Sequence, residues 1–280
     1  MLMILVTPTI ICAQGFHYPT PPDSLCNRQE RIVYIVEHFW NDQNIADTAS
    51  FKSPKLLLDY LYLLEQISDE EKNKYIDSFI SLASNHHETF NVLLWLLDNI
   101  LYNSVSPFYD EETYLKMLNV IIATDIDSTL KLLPKERLRI IKKNRVGKYA
   151  NDFTFIDKQG QKHRLYEIKT PFLLLVFNNP DCSFCHQIEK KINNNIIIQQ
   201  LLMNDSLKIL AITPAAEYNK WLEHQYPKEW DVGFDIDKTI ETSRLYDIQR
   251  FPSIYLLDRD KRVLLKEADY ERLCKYLTLK

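Results

Sequence analysis

The sequence has few glycines, and their positions exclude the common nucleotide-binding loops. Its four glycines, Gly15, Gly147, Gly160 and Gly233, are too far apart to form G-x-G-x-x-G or a P-loop. An excess of charge is also missing, since 34 Lys and Arg stand against 38 Asp and Glu, a net charge of -4. We therefore expect no binding to nucleic acid or to an anionic membrane surface. A hydrophobic content of 46% over 280 residues fits one or two globular domains with a sizeable core.

The N-terminal segment lacks basic residues, because no Lys or Arg precedes Arg28. The first residues are nevertheless mostly apolar and end at a small residue, Ala13, so we predict a secretory signal peptide over residues 1–15. A lipid anchor on Cys12 is the rival interpretation, although the residue before it is larger than usual. The segment is too short to span a bilayer, and no later segment does so. We expect a periplasmic or secreted protein without a transmembrane span, in a compartment where disulfides persist.

Cysteine is scarce as well, and only two of the five cysteines are close together. The five are Cys12, Cys26, Cys182, Cys185 and Cys274. We interpret Cys26 and Cys274 as isolated thiols; a bridge between them is an alternative that their geometry would decide. The chemistry of the chain is therefore expected at the C-x-x-C formed by Cys182 and Cys185.

The paired cysteines lie where a buried strand is predicted to pass into a helix. Residues 172–177 are an unbroken apolar run, which is typical of a strand buried on both faces of a sheet. Residues 178–181 are turn formers. After the cysteines, Ile188 and Ile192 recur at helical spacing.

This position gives Cys182 the chemistry of a redox centre. The backbone N–H groups at the start of a helix are unpaired and carry partial positive charge, so they stabilise a thiolate. Cys185, one helical turn later, is within reach and would close a short disulfide. The pattern therefore predicts a redox-active dithiol.

Three other uses of the pair stay open. The stretch from Cys182 to His186 matches C-x-x-C-H, the attachment motif for c-type haem, although haem needs a distal ligand and a helical pocket. A zinc site needs four ligands, and Cys182, Cys185 and His186 supply three. The pair would also serve as a purely structural bridge. We expect no metal and no cofactor.

A proline before a later strand completes a pattern that resembles a known family. Pro252 precedes the apolar run 253–258, and residues 152–166 alternate as in a hairpin. Together with the buried strand, turn, C-x-x-C and helix, these features resemble the thioredoxin fold. They are more closely similar to the extracytoplasmic TlpA/ResA-type thiol–disulfide oxidoreductases. The resemblance implies an α/β thioredoxin-like domain over residues 148–280, with a central mixed sheet flanked by helices.

The preceding half of the chain has the pattern of a helical domain. Its apolar residues recur at helical spacing, Ser68 and Glu71 have the spacing of a capping box, and residues 88–102 are apolar around most of a helix. We predict an all-α domain over residues 16–147. It resembles a helical domain of unknown function that precedes thioredoxin-like domains in some secreted bacterial proteins, and this resemblance implies no activity.

The family resemblance also implies a role for each residue of the site. Cys182 would attack a substrate disulfide, and Cys185 would resolve the mixed disulfide. Pro252 would be cis and lie against the sulfur atoms, and the backbone beside it would pair with an extended substrate. The candidate substrate-binding residues are Phe251, Ser183 and Phe184.

Several positions depart from the family pattern. Val176 replaces the buried aspartate six residues before the first cysteine, so a proton relay through that site is absent. Asp181 replaces a tryptophan, and its carboxylate would oppose a thiolate at Cys182. Phe251 replaces a small residue and would narrow or line the substrate groove. His186 would either help the thiolate as an imidazolium or face solvent.

Two classes of function follow from these patterns. The first is an extracytoplasmic thiol–disulfide oxidoreductase that reduces or isomerises disulfides. Its partners would be protein disulfide or dithiol substrates and an unidentified electron donor. The second is a non-catalytic scaffold, in which the helical half binds a partner and the thioredoxin-like half is structural. Only the first requires an exposed dithiol that cycles reversibly.

Overall fold

The computed structural model of the chain describes residues 17–51 and 53–278. The predicted signal peptide, residues 1–15, and Cys12 with its alternative lipid anchor lie outside the described residues, so both stay predictions. None of the helices in the described ranges combines the length and the apolar character needed to cross a membrane.

The N-terminal part of the chain is helical, as predicted. Ser68 and Glu71 form the predicted capping box, in which each side chain accepts a hydrogen bond from the other residue's backbone N–H at 3.1 to 3.3 Å. The elements are α1 (Arg28–His38), a 3-10 turn (Thr48–Phe51), α2 (Lys55–Leu64), α3 (Asp69–Ser84), α4 (His87–Leu97), a π-helical turn (Asp98–Tyr102), α5 (Glu111–Ala123) and α6 (Leu132–Ile141).

The first of two compact units contains the described residues of 17–96 together with 123–126. Aromatic side chains form much of its core. The ring of Trp40 stacks on that of Phe79 with centroids 4.5 Å apart, and Tyr60 packs against both. Trp40, Tyr60 and Phe79 are therefore core residues, whereas Tyr62 and Trp95 are exposed.

The C-terminal part alternates strands and helices around one sheet. The elements are β1 (Thr154–Ile156), β2 (Lys162–Arg164), β3 (Phe172–Phe177), α7 (Ser183–Asn193), α8 (Ile196–Met203), β4 (Leu207–Thr213), α9 (Tyr218–Glu223), β5 (Asp231–Phe234), α10 (Thr239–Thr242), β6 (Ser253–Asp258), β7 (Val263–Ala268) and α11 (Tyr270–Thr278). The order of the seven strands is β2-β1-β5-β4-β3-β6-β7. The predicted mixed sheet flanked by helices is confirmed.

Strand β3 lies at the centre of the sheet and is buried on both faces. It pairs in parallel with β4 and antiparallel with β6, so that Val176 stands opposite Ala211 on one side and Ile254 on the other. Leu175 and Phe177 enter the core on one face of the sheet, and Val176 enters the core on the opposite face. The uninterrupted apolar run was therefore the correct signal for a doubly covered strand.

The second compact unit contains the described residues of 97–122 and 127–278, so it includes most of α5, all of α6 and the whole sheet. The boundaries between the two compact units therefore differ from the predicted domain boundary between residues 147 and 148. That boundary stays a prediction.

A buried ion pair attaches α5 and α6 to the edge strand β7. The Lys266 ammonium lies 2.7 Å from Glu111 and also donates to the backbone carbonyls of Ile141 and Lys143 at 3.0 and 3.2 Å. The Lys266 side chain is only 2% exposed, and burial raises the pKa of Glu111. A charge in this position is tolerated because every donor of the ammonium has an acceptor.

We expect Lys266→Met to lower the free energy of unfolding by about 3–5 kcal/mol, because the substitution leaves Glu111 buried without its partner. Urea denaturation would measure the change. Lys162→Met is the matched control, since Lys162 is exposed and lies 3.6 Å from Asp237; its loss should cost no more than about 1 kcal/mol. Equal losses in the two variants would contradict the role assigned to Lys266.

Candidate active site

The two cysteines lie at the start of α7, where the sequence placed them. Cys182 is the N-cap residue with extended backbone dihedral angles, and its Sγ accepts a hydrogen bond from the Cys185 N–H at 3.1 Å. The two residues form a disulfide, and their Cα atoms are 5.2 Å apart. Cys182 is partly exposed, whereas Cys185 is fully buried. Cys182 is thus the sulfur that a macromolecule in solution would reach.

The turn that delivers Cys182 is formed by the residues after β3. The N–H of Asn178 extends the parallel ladder by donating to the Ile212 carbonyl at 2.9 Å. The side chain of Asn179 then accepts a hydrogen bond from the Asp181 N–H, and its carbonyl accepts one from the Cys182 N–H. Asparagine is suited to this role because its short amide mimics a backbone turn.

The loop before β6 approaches the same sulfur from the other side. The peptide bond between Phe251 and Pro252 is cis, and the Phe251 carbonyl oxygen lies 3.8 Å from Cys182 Sγ. Pro252 and Phe184 line a groove of ≈ 290 Å³ beside α7, and Phe184 is 46% exposed. Cys182, Phe184 and Pro252 are therefore brought together.

Two other candidate substrate-binding residues, Phe251 and Ser183, are not among the residues that line the groove beside Phe184. The side chain of Phe251 packs against the core and lines a separate cavity of ≈ 280 Å³ with Tyr246. Ser183 is exposed as the first residue of α7. The backbone carbonyl of Phe251 faces Cys182, and the role of the residue in narrowing or lining the substrate groove stays a prediction.

The charge of Asp181 is balanced by a lysine that the sequence did not reveal. The Lys220 ammonium donates a hydrogen bond to the Asp181 carboxylate at 2.8 Å, and this bond raises the pKa of Lys220. The two residues are 39 positions apart, on the turn and on α9. Because the pair is exposed its energy is small, but it reduces the repulsion that Asp181 would exert on a thiolate at Cys182.

A buried polar cluster lies on the inner side of α7. The carboxylate of Glu189 accepts a hydrogen bond from the Asn178 side chain at 2.9 Å and lies 3.3 Å from His224 Nε2. The side-chain Oδ1 of Asn178 in turn accepts hydrogen bonds from the hydroxyls of Thr213 and Tyr226. Sequence reasoning missed this cluster, although a charged residue four positions after Cys185 on an apolar helix face was a usable signal.

His186 belongs to the same region and does not simply face solvent. Its ring stacks on that of His224 with centroids 4.8 Å apart and an interplanar angle of 15°. His186 Nε2 is buried and has no hydrogen-bond partner among the described residues. No group of three or more His, Cys, Asp and Glu in the described ranges is placed to hold a metal ion.

A second buried acid lies under the cis-proline loop. The Ser253 hydroxyl, next to Pro252, donates a hydrogen bond to Glu267. Burial raises the pKa of Glu267 to about 8, and the negative charge of Asp247 adds to the increase. At neutral pH the Glu267 side chain is therefore mostly protonated.

The fold and the cysteine pair define a thioredoxin-like protein. A family model described as a thioredoxin-like domain matches residues 156–274, and one described as a domain of unknown function (DUF5106) matches residues 5–144. The crystal structure of a thioredoxin-like protein from Bacteroides caccae is 32% identical with a TM-score of 0.84, covering 95% of this chain and 99% of that chain. The chain belongs to the thioredoxin-like proteins that carry an N-terminal DUF5106 domain.

Other similar structures cover the C-terminal half. The C-terminal domain of an uncharacterized protein from Bacteroides fragilis is 35% identical with a TM-score of 0.47, covering 48% of this chain and 98% of that chain. The C-terminal domain of a putative thiol-disulfide oxidoreductase from Bacteroides thetaiotaomicron is 22% identical with a TM-score of 0.40, covering 49% of this chain and 95% of that chain. Among curated proteins, none matches the sequence.

The protonated state of Glu267 predicts a pH-dependent stability. Its pKa of about 8 in the folded chain exceeds its ordinary value of 4.5, so the folded state binds more protons between these values. The contribution of Glu267 to the free energy of unfolding is complete below about pH 4.5 and is lost as pH rises through 8. The free energy of unfolding then falls by up to roughly 1.4 kcal/mol per pH unit.

We expect Glu267→Gln to remove this part of the decline, because the neutral amide resembles the protonated acid. Urea denaturation midpoints of the two proteins, measured from pH 5 to pH 9, would show converging stabilities at low pH and a flatter profile for the variant. Glu271→Gln is the control, since Glu271 is exposed. Parallel profiles for the wild type and Glu267→Gln would contradict a protonated Glu267.

Proposed function

We propose that the protein is an extracytoplasmic thiol–disulfide oxidoreductase that reduces or isomerises protein disulfides through Cys182 and Cys185. The observation that carries this proposal is the asymmetry of the pair. Cys182 is accessible at the helix start, and Cys185 is buried directly behind it. One sulfur is suited to meet a substrate and the other to act only within the protein. The apolar segment with a small residue at Ala13 supports a periplasmic or secreted location.

The reduction would proceed in two exchange steps. The Cys182 thiolate attacks one sulfur of the substrate disulfide, the substrate S–S bond breaks, and the departing substrate thiolate takes up a proton. The Cys185 thiolate then attacks Cys182 Sγ in the mixed disulfide. This step releases the second substrate thiol and leaves the Cys182–Cys185 disulfide. A dithiol donor must return two electrons and two protons to complete a cycle.

The surroundings of Cys182 support its role as the attacking group. Its Sγ accepts the Cys185 N–H at the start of α7, and such hydrogen bonds favour the charged form of the sulfur. The Phe251 carbonyl faces the same sulfur, so an extended substrate would lie along this backbone. Phe184 and Pro252 would contact its side chains.

Glu189 is the group we assign to accept the proton of Cys185. It follows Cys185 by four residues on α7, which places neighbouring Cβ atoms about 5–6 Å apart on one helix face. Both side chains are buried, and Glu189 is held by Asn178 and His224. This acid would take the part that Val176 cannot play at the usual position.

We expect Cys182→Ser to abolish reduction of a disulfide-bonded test protein. Cys185→Ser should instead accumulate a mixed disulfide with it, because nothing resolves the intermediate. Titration of the wild type against glutathione and dithiothreitol buffers, with thiol labelling and mass measurement, would report reversible two-electron cycling of the pair.

Cys274→Ser is the matched control, since Cys274 is a free cysteine on α11 outside the pair. If the pair never cycles, and if Cys182→Ser leaves the phenotype unchanged, the results would favour the scaffold interpretation instead.

We expect Glu189→Gln to slow resolution of the mixed disulfide about 10²-fold near neutral pH, because the amide accepts no proton. Single-turnover release of a labelled peptide, followed from pH 6 to pH 10, would show the deficit shrinking as hydroxide takes over deprotonation. Glu223→Gln is the control, since Glu223 is exposed on α9. An unaltered pH profile in Glu189→Gln would remove Glu189 from the mechanism.

A further inference from the structure

A polar cavity of ≈ 380 Å³ lies against the loop that leads to Pro252. Two stretches of the second compact unit form its walls, residues 98–104 with the π-helical turn and residues 244–250 before the cis peptide bond. Arg137 of α6 completes the lining. The cavity is separate from the cysteine pair, and none of the sequence motifs pointed to it.

Side-chain hydrogen bonds join the two walls. The Tyr102 hydroxyl donates to the buried Asp247 carboxylate at 2.7 Å. The amide of Gln249 donates to the Tyr102 carbonyl at 3.0 Å and accepts a hydrogen bond from the Ser104 N–H at 3.0 Å. Because these groups are paired in buried or half-buried positions, the two walls hold a defined spacing.

Both carboxylates in the cavity wall are already engaged. Asp98 accepts two hydrogen bonds from Arg137, each at 2.9 Å, and a third from the Tyr114 hydroxyl. Asp247 accepts the Tyr102 hydroxyl. The wall therefore carries three guanidinium groups against two carboxylates, and Arg137 alone of the three pairs with a carboxylate of the wall.

The remaining arginines, Arg244 and Arg250, differ in their partners. Arg244 is exposed and lies 3.8 Å from Glu136, whose carboxylate already accepts two hydrogen bonds from Arg139. Arg250 is half-buried, yet its guanidinium makes no hydrogen bond or ion pair with any described residue. Its positive charge lowers the pKa of the buried Glu267, against the larger effect of burial.

A second group in the wall also lacks a partner. Ser104 is 6% exposed, and its hydroxyl has no hydrogen-bond partner among the described residues. Buried hydroxyls are normally paired, because leaving them unpaired costs free energy. The unpaired buried hydroxyl of Ser104, next to the half-buried guanidinium of Arg250, indicates a ligand with negatively charged oxygen atoms.

The position of Arg250 connects this cavity to the site of reaction. Arg250 also lines the groove that contains Phe184 and Pro252. It precedes Phe251, whose carbonyl lies 3.8 Å from Cys182 Sγ. An acidic group held by Arg250 would therefore belong to a molecule that lies beside the reacting sulfur.

We propose that this cavity binds a side-chain carboxylate, Asp or Glu, of the polypeptide whose disulfide Cys182 attacks. Arg250 is its main ligand, with Arg244 and Ser104 as further donors. The inference rests on the proposed function and names its substrate class, polypeptides with an acidic residue near the reacting cysteine. An arginine is suited to this task because its planar fork binds a carboxylate through two parallel hydrogen bonds.

Matched peptides would test this specificity directly. Each peptide contains one disulfide and a single Glu at one position within four residues of the reacting cysteine, and its control has Gln there. At low salt, one position should favour Glu over Gln roughly tenfold in kcat/KM, the size of one charge-assisted hydrogen bond. Equal rates at every position would overturn the carboxylate site while leaving the dithiol function intact.

Variants of the protein would show which residue causes the preference for the Glu peptide. In the Arg250→Gln protein, the ratio of kcat/KM for the Glu peptide to kcat/KM for the Gln peptide should fall to about one. The Arg250→Lys protein should retain part of this preference. Arg259→Gln is the charge-matched control, because Arg259 is exposed and lines neither cavity, and it should keep the full ratio. An undiminished ratio in Arg250→Gln would overturn the assignment.

A binding measurement separates this proposal from failure of the redox function. In the Cys182→Ser, Cys185→Ser double variant, titration calorimetry with peptides that carry Ser in place of Cys requires no chemistry. Tighter binding of the Glu peptide, lost on Arg250→Gln, would support the site even if the wild type never cycles. Inorganic phosphate that binds through Arg250 without any Glu preference among the peptides would show a small-anion site and overturn the polypeptide source.

Discussion

The burial of β3 on both faces of the sheet is the constraint on which the site depends. Its ladder with β4 continues through Asn178, so the turn that follows starts from a fixed point. The helix must then begin at Ser183, and Cys182 becomes its N-cap. The antiparallel partner β6 begins immediately after Pro252, which is why the cis-proline loop reaches the same sulfur. One strand therefore positions both halves of the proposed reaction centre.

Two buried acids flank this centre, and their environments differ. Glu189 accepts a hydrogen bond from the Asn178 amide and lies beside the ring of His224. Glu267 has one hydroxyl donor and the like charge of Asp247 nearby, and burial keeps it protonated. The first would act in proton transfer, whereas the second supports the loop that carries Pro252.

Local patterns predicted the parts of the site that one segment contains. The strand at 172–177, the helix start at Cys182 and the proline before β6 each follow from neighbouring residues. Contacts between distant segments could not be predicted in this way: Lys220 meets Asp181 over 39 residues, and Tyr102 meets Asp247 over 145. The periodicity of a helix shows that a face is buried, but it does not show which element covers it.

The contacts that shape the proposed reaction centre extend beyond the thioredoxin-like residues. Lys266 and Gln249 lie within the match at 156–274, yet their partners Glu111 and Ser104 lie within the DUF5106 match at 5–144. Without those partners, an ammonium that is 2% exposed would lose its counter-charge, and the loop before Pro252 would lose the hydrogen bonds that hold it. The helical segment is therefore part of the structure that shapes the loop facing Cys182. A domain of unknown function would then contribute to substrate choice by holding this loop and through the Ser104 hydroxyl, which we propose as a donor to the substrate carboxylate.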